Sequence, residues 1–483
     1  MNKLQPLKDK TIIGFKWNLA GQVAMYLITL GGTIAMSRLL NPSEFGLFGM
    51  LTVLSSLASL VVGLGFAHAI VQSQSLKQND LSSIFWLNLL LGFVVAAVFF
   101  FSAEAIASFY SQPELKEITQ IFSGIFLIYG CSAVPLGLLS KRIEFKYLVV
   151  SQLLAAIISY TSGLFMAYEG FGVWSLVALS MSNHFVYVAL NIYFSRWIPS
   201  LKFKWSAVLK IARFSRNFLP SQLLDFFALN IDMLLIGKYF GKQELGYYGR
   251  ASALVQLPIN SLGVIFNKTT FSLFAELQSH KEALVKSYLR SVKMLTMVLM
   301  PILILTALLS EKIILFLFGE RWVAMSDLVA ILSISAAISS YNSFNDGVIV
   351  SQGRTDLLLR INIAEKIVLM ISVVIGLQYG LIGAAIAKVI SSVIMFIPKL
   401  IILSRVTHVS VVDWFLHHAK LFVGLIICAL IALISVNLAS NNILSIGIST
   451  FMALLGNYLF LLLVKEQTIH DMHDFIKNAF KIK

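Results

Sequence analysis

The sequence has 483 residues, of which 58% are hydrophobic and 12% charged, with a mean hydropathy of +0.85 and a formal net charge of +14. This composition excludes an ordinary water-soluble domain, in which about a quarter of the residues are charged. Apolar runs of roughly 20 residues recur along the chain, and none alternates like a barrel strand. We therefore predict an all-α integral membrane protein with about 14 transmembrane helices.

The first segment, MNKLQPLKDKTIIGFKW, has a basic flank and no small-residue cleavage site. We expect it to lead into a retained first helix rather than to act as a signal peptide.

Cys131 and Cys428 both lie in apolar segments, which indicates small buried side chains rather than a disulfide or a metal site. In chain order, the predicted spans cover residues 12–36, 45–66, 83–103, 118–140, 147–168, 171–194, 216–236, 247–272, 291–310, 323–350, 357–378, 381–403, 417–438 and 443–464.

Lys and Arg concentrate in the N-terminal segment, in every second loop and in the C-terminal tail. An even number of spans puts both termini on one side, and the basic side is cytoplasmic in multi-pass membrane proteins. Orientation accounts for the positive charge, so we expect no nucleic-acid partner. The densest cluster lies between spans six and seven, where it can also attract anionic lipid headgroups; it comprises Arg196, Lys202, Lys204, Lys210, Arg213 and Arg216.

An internal repeat divides the chain. RLLNPSEFGLFG at 38–49 aligns without a gap with KYFGKQELGYYG at 238–249. Two weaker matches follow in the same order: Ser140 and Arg142 with Ser351 and Arg354, and FGVWSLV at 171–177 with YGLIGAA at 379–385. The repeat predicts a six-helix lobe over 1–210, a second over 211–405, and two extra helices with a cytoplasmic tail over 406–483.

Six helices per lobe is an even number, so equivalent helices run in the same direction. The repeat therefore predicts a pseudo-twofold axis along the membrane normal, as in transporters whose lobes rock about a central site. Glycines recur in both copies, at Gly46 and Gly49 and at Gly246 and Gly249. They have two explanations, a close approach of backbones or a tight turn.

Several segments also resemble a known family: KTIIGFKW at 10–17, RLLNPSEFG at 38–46, LGFAHAIVQ at 64–72, FWLNLLLG at 85–92 and FGERW at 318–322. Their order and spread are similar to the polysaccharide transporter branch of the multidrug/oligosaccharidyl-lipid/polysaccharide exporter superfamily, and within it to Wzx-type flippases of the colanic-acid kind.

This resemblance implies a flippase of the bacterial inner membrane that is not an enzyme. Its cargo would be an undecaprenyl-pyrophosphate-linked oligosaccharide, carried from the cytoplasmic to the periplasmic leaflet for exopolysaccharide, capsule or O-antigen synthesis. Membrane lipids and a polymerase or export machinery would be its partners. The sequence shows no P-loop, so we expect no cofactor beyond a coupling H⁺ or Na⁺.

Neutral polar side chains along predicted spans indicate a cavity for such a cargo: Gln22 in span one, Asn183 and His184 in span six, Gln256 and Asn260 in span eight. Amides and hydroxyls suit sugar hydroxyls, but they also form hydrogen bonds between helices. His184 is either a group that titrates near neutral pH or a satisfied interior histidine.

Charged side chains are candidates for the pyrophosphate and for ion coupling. Arg38 and Arg250 can grip a phosphate with two parallel hydrogen bonds, or can anchor helix ends at the interface. Asp225 and Asp232 in span seven lie two helical turns apart and share a face, so either can bind H⁺ or Na⁺. The alternatives are contact with water for Asp225, or pairing with Lys or Arg for each.

Asp346 in span ten accompanies Asn342, a polar pair that suits the wall of a wet cavity. Glu365 in span eleven is the last ion-coupling candidate. Alternatively, Glu365 and Lys366 lie just below the lipid headgroups, where the lysine side chain can reach the interface. Lys388 lies deep in span twelve. A buried cation there can meet a phosphate or can pair with a membrane carboxylate.

Two other functions fit the hydropathy. A membrane glycosyltransferase or polymerase is disfavoured, since such enzymes carry a substantial external loop and the predicted external loops are short. The sequence also shows no GxGxxG, HExxH or nucleophile motif. A multidrug or peptidoglycan-precursor exporter shares the fold and differs in cargo, and only the family resemblance argues against it.

Overall fold

The computed structural model describes residues 5–63, 65–73, 76–277, 280–407, 409–438, 443–466 and 468–469. Throughout these residues the regular structure is helical, which confirms the predicted all-α class. The elements are α1 Gln5–Leu39, α2 Pro42–Gly63, α3 Phe66–Gln72, α4 Gln78–Phe101, α5 Ala103–Tyr110, α6 Leu115–Phe122, α7 Ile125–Lys141, α8 Phe145–Tyr168, α9 Val173–Ser195, α10 Trp205–Glu276, α11 Lys281–Leu308, α12 Ser310–Leu317, a 3-10 helix Glu320–Met325, α13 Ser326–Ser351, α14 Thr355–Leu377, α15 Gly380–Thr407, α16 Val411–Leu438 and α17 Ile443–Leu463.

Eleven of the described helical segments are long and apolar enough to cross a membrane. The predicted spans 216–236 and 247–272 both fall within α10, and the predicted span 357–378 corresponds to α14, which carries several charged residues. These three are not among the eleven. The chain is therefore a multi-pass membrane protein, and the count of fourteen spans stays a prediction.

The chain divides into two compact units, Met1–Gly246 and Tyr247–Lys483. In the first unit, α8 packs against α1 and α9, and α7 packs against α4 and α9. In the second, α13 and α15 pack together, α14 packs on α15, and α11 contacts α13 and α16. The division predicted from the repeat, with its boundary near residue 210, and the symmetry between lobes stay predictions.

Two glycines in the first unit allow helices to touch through their backbones. A β-carbon on Gly46 of α2 would overlap the carbonyl group of Lys242, and one on Gly246 of α10 would overlap the carbonyl group of Pro42. Backbone atoms cannot turn aside as a flexible side chain can, so only glycine fits at these two positions. This supports the close-approach explanation for one glycine of each repeat copy.

Helix α10 is 72 residues long and is interrupted at Gly241, whose φ of 86° and ψ of −174° are not helical. Only glycine adopts this conformation without strain. Two lysines beside the break hold it against the α5–α6 region. Lys238 Nζ donates to the carbonyl oxygen of Phe109, and Lys242 Nζ lies 2.9 Å from Glu114 Oε2.

Candidate functional site

A buried lysine in the second unit binds two carboxylates from neighbouring helices. Lys399 of α15 has 1% of its side chain exposed. Its Nζ lies 2.7 Å from Glu365 Oε2 on α14 and 3.3 Å from Asp346 Oδ1 on α13. We call these three residues the acid–lysine triad. It brings together two of the predicted ion-coupling candidates, Asp346 and Glu365.

The triad carries one more negative than positive charge when all three groups are ionised. A buried ammonium is costly without negatively charged or polar partners, and Lys399 contacts two carboxyl groups. The Glu365 contact is the shorter, so Asp346 is the partner that Lys399 neutralises less well. Asp346 is therefore the carboxylate of the triad best suited to take up a cation.

The face of α13 around Asp346 is polar over about one further turn. Tyr288 on α11 donates a 2.7 Å hydrogen bond to Asn345 Oδ1, and the hydroxyl groups of Thr296 and Tyr341 lie 2.9 Å apart. Asn342 is 2% exposed, and neither amide atom has a hydrogen-bond partner among the described residues. Buried amide groups in proteins are usually hydrogen-bonded, so the Asn342 side chain is an exception to that rule.

An aromatic cluster closes this polar region from α16. Trp414 Nε1 donates a 3.0 Å hydrogen bond to Tyr288 Oη, and the Trp414 ring meets Tyr341 edge to face. The His418 ring stacks on Trp414 with centroids 4.3 Å apart, and its Nδ1 lies 2.7 Å from the Trp414 carbonyl oxygen. The indole and phenol rings thus fix the position of Asn345 on α13.

Serine hydroxyls continue the polar contact between α13 and α15 beyond the triad. Ser392 Oγ lies 3.0 Å from Ser335 Oγ and 3.2 Å from Ser339 Oγ. Ser392 and Lys399 are seven residues apart on α15, so they lie on one face. The seam between α13 and α15 is therefore polar from Ser335 to Asp346.

Lys388, which was predicted to bind the cargo phosphate, is half-buried on α15. Its Nζ lies 5.5 Å from the ring centroid of Tyr248. A cation held over an aromatic face is stabilised by the ring quadrupole. Arg250 is also half-buried in this unit, and Gln256 and Asn260 are exposed on α10.

In the first unit, His184 has a partner for each ring nitrogen. Its Nε2 lies 3.0 Å from Tyr129 Oη, and its Nδ1 lies 2.8 Å from the Ser180 carbonyl oxygen. Asn183 donates a 3.2 Å hydrogen bond from α9 to Ser159 on α8. His184 thus has the partners of a satisfied interior histidine, and Asn183 makes a hydrogen bond between helices; these are the second explanations that the sequence left open for each residue.

The remaining predicted residues of the first unit occupy different environments. Asp232 on α10 is 1% exposed, and its Oδ1 accepts a 2.8 Å hydrogen bond from the backbone nitrogen of Met233. Asp225 is half-buried on the same helix. Gln22 on α1 and Arg38 at the end of that helix are exposed. The deep burial of Asp232 is the environment expected of a coupling carboxylate.

Sequence reasoning overlooked Lys399. A lysine near the end of a predicted span is usually explained by the basic flank of a helix or by a side chain that reaches the interface. One signal was available, because Lys388, Ser392 and Lys399 recur at spacings that keep them near one face of a helix.

Comparisons with known proteins place the chain among polysaccharide biosynthesis proteins. The profile of a family described as "Polysaccharide biosynthesis protein" matches residues 35–327. The chain is 27% identical over 352 residues to the teichuronic acid biosynthesis protein TuaB of Bacillus subtilis (strain 168), covering 71% of this chain and 72% of that protein. It is 23% identical over 395 residues to the lipopolysaccharide biosynthesis protein WzxC of Escherichia coli (strain K12), covering 80% of each.

Among solved structures, the chain is similar to the lipid II flippase MurJ in an inward closed conformation. The TM-score is 0.75 at 14% sequence identity, and the match covers 95% of this chain and all of that one. At this identity the similarity shows a shared fold.

Proposed function

Because this chain belongs to the polysaccharide biosynthesis protein family, we propose that it moves an undecaprenyl-pyrophosphate-linked oligosaccharide from the cytoplasmic to the periplasmic leaflet. The alignment with WzxC over 80% of both chains carries this proposal. The fold shared with a lipid II flippase is consistent with it. The protein acts as a transporter rather than an enzyme, and its partners include the polymerase or export machinery that consumes the product.

The acid–lysine triad supports coupling of this transport to a cation. Uptake of H⁺ or Na⁺ at Asp346 leaves the Lys399–Glu365 pair balanced, so ion binding removes the excess negative charge of the triad. A counter-transported cation gains about 2.3 kcal/mol per charge for every 100 mV of membrane potential. That free energy is enough to bias a transporter between two conformations.

The function is tested with the purified full-length chain in vesicles that contain a fluorescent undecaprenyl-pyrophosphate oligosaccharide. We expect the chain to carry the lipid to the opposite leaflet, faster when a H⁺ or Na⁺ gradient is imposed. Protein-free vesicles give the background rate. Equal rates with and without the protein would refute the flippase proposal.

The coupling site is tested in the same vesicles with Asp346→Asn. This variant should lose the gradient-dependent part of the rate and keep the basal rate. Asp327→Asn is the matched control, since Asp327 is exposed in the first turn of the same helix. Gradient-dependent transport by Asp346→Asn at the normal rate would exclude coupling through the triad.

Asp232 is a second coupling candidate because it is buried in the first unit. Asp232→Asn should reduce transport at unchanged protein abundance if this carboxylate carries the ion.

Lys388→Ala and Arg250→Ala should instead weaken cargo binding, measured as a higher cargo concentration for half-maximal transport. Comparison of these variants with Asp346→Asn separates ion coupling from cargo binding.

The second candidate function is export of a peptidoglycan precursor, favoured by the fold match to a lipid II flippase. Competition distinguishes the two. Unlabelled lipid II added in excess should leave transport of the oligosaccharide lipid unchanged, whereas strong inhibition would favour the precursor exporter.

A further inference from the structure

A groove of about 790 Å³ lies in the second unit, beside the first turns of α11. Side chains of α11 form one wall, and Thr407, His417 and Thr468 contribute from segments far away in the sequence. We call it the α11 groove. It is separate from the acid–lysine triad, none of whose members lines it.

The α11 groove is cationic. Lys281, Lys286, Arg290 and Lys293 line it, against Glu282 and Glu466. Lys286, Arg290 and Lys293 follow one another at spacings of four and three residues, so they lie along one face of α11. Lys281, in the first turn, lines the same groove from the end of the helix. The positive end of the helix dipole at the start of α11 adds to the attraction for an anion.

An ion pair fixes the floor of the groove. Lys293 Nζ lies 2.7 Å from Glu466 Oε1, and Glu466 is 4% exposed. Thr468 Oγ1 donates a 2.8 Å hydrogen bond to the same oxygen atom. Glu466 therefore neutralises Lys293, while Lys281 and Lys286 remain exposed at the rim.

The position of the groove points to a lipid. Helix α11 has 28 residues and is about 42 Å long at 1.5 Å per residue, longer than the hydrocarbon core of about 30 Å. The first turns carry Lys281, Glu282 and Lys286, which are costly in hydrocarbon, so the excess length lies at this end and reaches the level of the headgroups. Val285, Leu289 and Val409 also line the groove and offer apolar contacts to the glycerol and upper acyl carbons of a lipid.

We propose that the α11 groove binds the phosphodiester headgroup of an anionic phospholipid. The phosphate meets Lys281 and Lys286, and the glycerol backbone packs on Val285 and Leu289. This site is independent of the cargo and of the proposed transport function. Its ligand is a lipid of the surrounding membrane that stabilises the start of α11.

The experiment measures lipid binding by the purified full-length chain in detergent, using native mass spectrometry and no cargo. The probes are phosphatidylglycerol and phosphatidylcholine of equal chain length. We expect phosphatidylglycerol to be retained preferentially. Each cation near a membrane surface strengthens binding about fivefold, so Lys281→Gln/Lys286→Gln should bind phosphatidylglycerol about 25-fold more weakly.

The matched control is Arg354→Gln/Arg360→Gln, which removes the same charge from exposed positions outside the groove. It should bind phosphatidylglycerol as the unchanged protein does. Equal losses in both variants, or no loss in either, would overturn the proposal, because the attraction would then be nonspecific. The melting temperature of each variant without lipid should be unchanged, which excludes unfolding as the cause of weaker binding.

Inorganic pyrophosphate in solution distinguishes a lipid site from a site for a soluble anion. We expect pyrophosphate alone to leave the melting temperature unchanged while phosphatidylglycerol raises it. If pyrophosphate stabilises the protein through Lys281 and Lys286 and phosphatidylglycerol does not, the lipid proposal is wrong.

Discussion

At the scale of single residues, Lys399 shows how a membrane helix accommodates a charge. Its ammonium group is buried, and its position between Glu365 and Asp346 supplies the carboxyl partners that burial requires. Pro398 precedes it in the interior of α15 and cannot donate a helical hydrogen bond. The acid–lysine triad therefore lies at a turn of α15 that lacks one backbone hydrogen bond.

Removing this lysine should be more harmful than removing the whole triad. Lys399→Met leaves two carboxylates without a cation and should lower the free energy of unfolding by about 3 kcal/mol. Lys399→Met/Asp346→Asn/Glu365→Gln should recover most of that loss, since no uncompensated charge remains. Thermal unfolding in detergent measures both. Equal melting temperatures for the single and triple variants would contradict an electrostatic role for Lys399.

Gly246 gives a second prediction at the residue scale. Gly246→Ala places a methyl group against the Pro42 carbonyl and should cost about 1–3 kcal/mol in stability. Gly249→Ala is the matched control three residues away, where a β-carbon meets nothing within 4 Å. It should be neutral or slightly stabilising, because alanine favours a helix. Melting temperatures measure both effects. Equal melting temperatures for the two variants would contradict the prediction.

At the scale of helices, the second unit is held together by contacts between elements distant in sequence. The Lys293–Glu466 pair joins α11 to the segment after α17, and Lys420 of α16 donates a 3.1 Å hydrogen bond to the Val464 carbonyl oxygen. Burial raises the pKa of Glu466, but Lys293, Thr468 and Lys420 outweigh this effect and hold the pKa below its ordinary value of 4.5. The ionised form is therefore the one that stabilises the fold.

This depressed pKa gives the pair a definite pH dependence. Its stabilisation is present above pH 4.5 and is lost as the pH falls through the lower pKa of the folded state. Glu466→Gln should therefore lower the melting temperature at pH 7, and the difference from the unchanged protein should shrink in acid. Melting curves across this range test the prediction. A difference that stays constant with pH would show that the carboxylate charge is not involved.

At the scale of the whole molecule, the distribution of Lys and Arg predicts the orientation in the membrane. Reporter fusions after Phe203 should give a cytoplasmic signal, and fusions after Pro113 and Lys242 a periplasmic one. The physical reason is that basic loops are retained on the cytoplasmic side. Reporter enzymes that are active on only one side of the membrane measure the location of each fusion point. A periplasmic signal at Phe203 would reverse the assignment of both termini.

The fold class and the family of this protein can be predicted from local stretches of its sequence. The all-helical class, the apolar spans and the family resemblance could be predicted, because hydropathy adds up along each segment and does not depend on distant contacts. The family is confirmed by the profile match. Even the close approach at Gly46 and Gly246 was one of two explanations open from the repeated glycines.

Only the tertiary structure decided which polar residues meet. Lys399 is 34 residues from Glu365 and 53 from Asp346 in the sequence, and nothing local to any of them predicts that they share one contact. The same holds for Glu466 and Lys293, which are 173 residues apart. Pairing of charges depends on which helix faces turn toward each other, and that is fixed by the packing of whole helices rather than by the composition of any one of them.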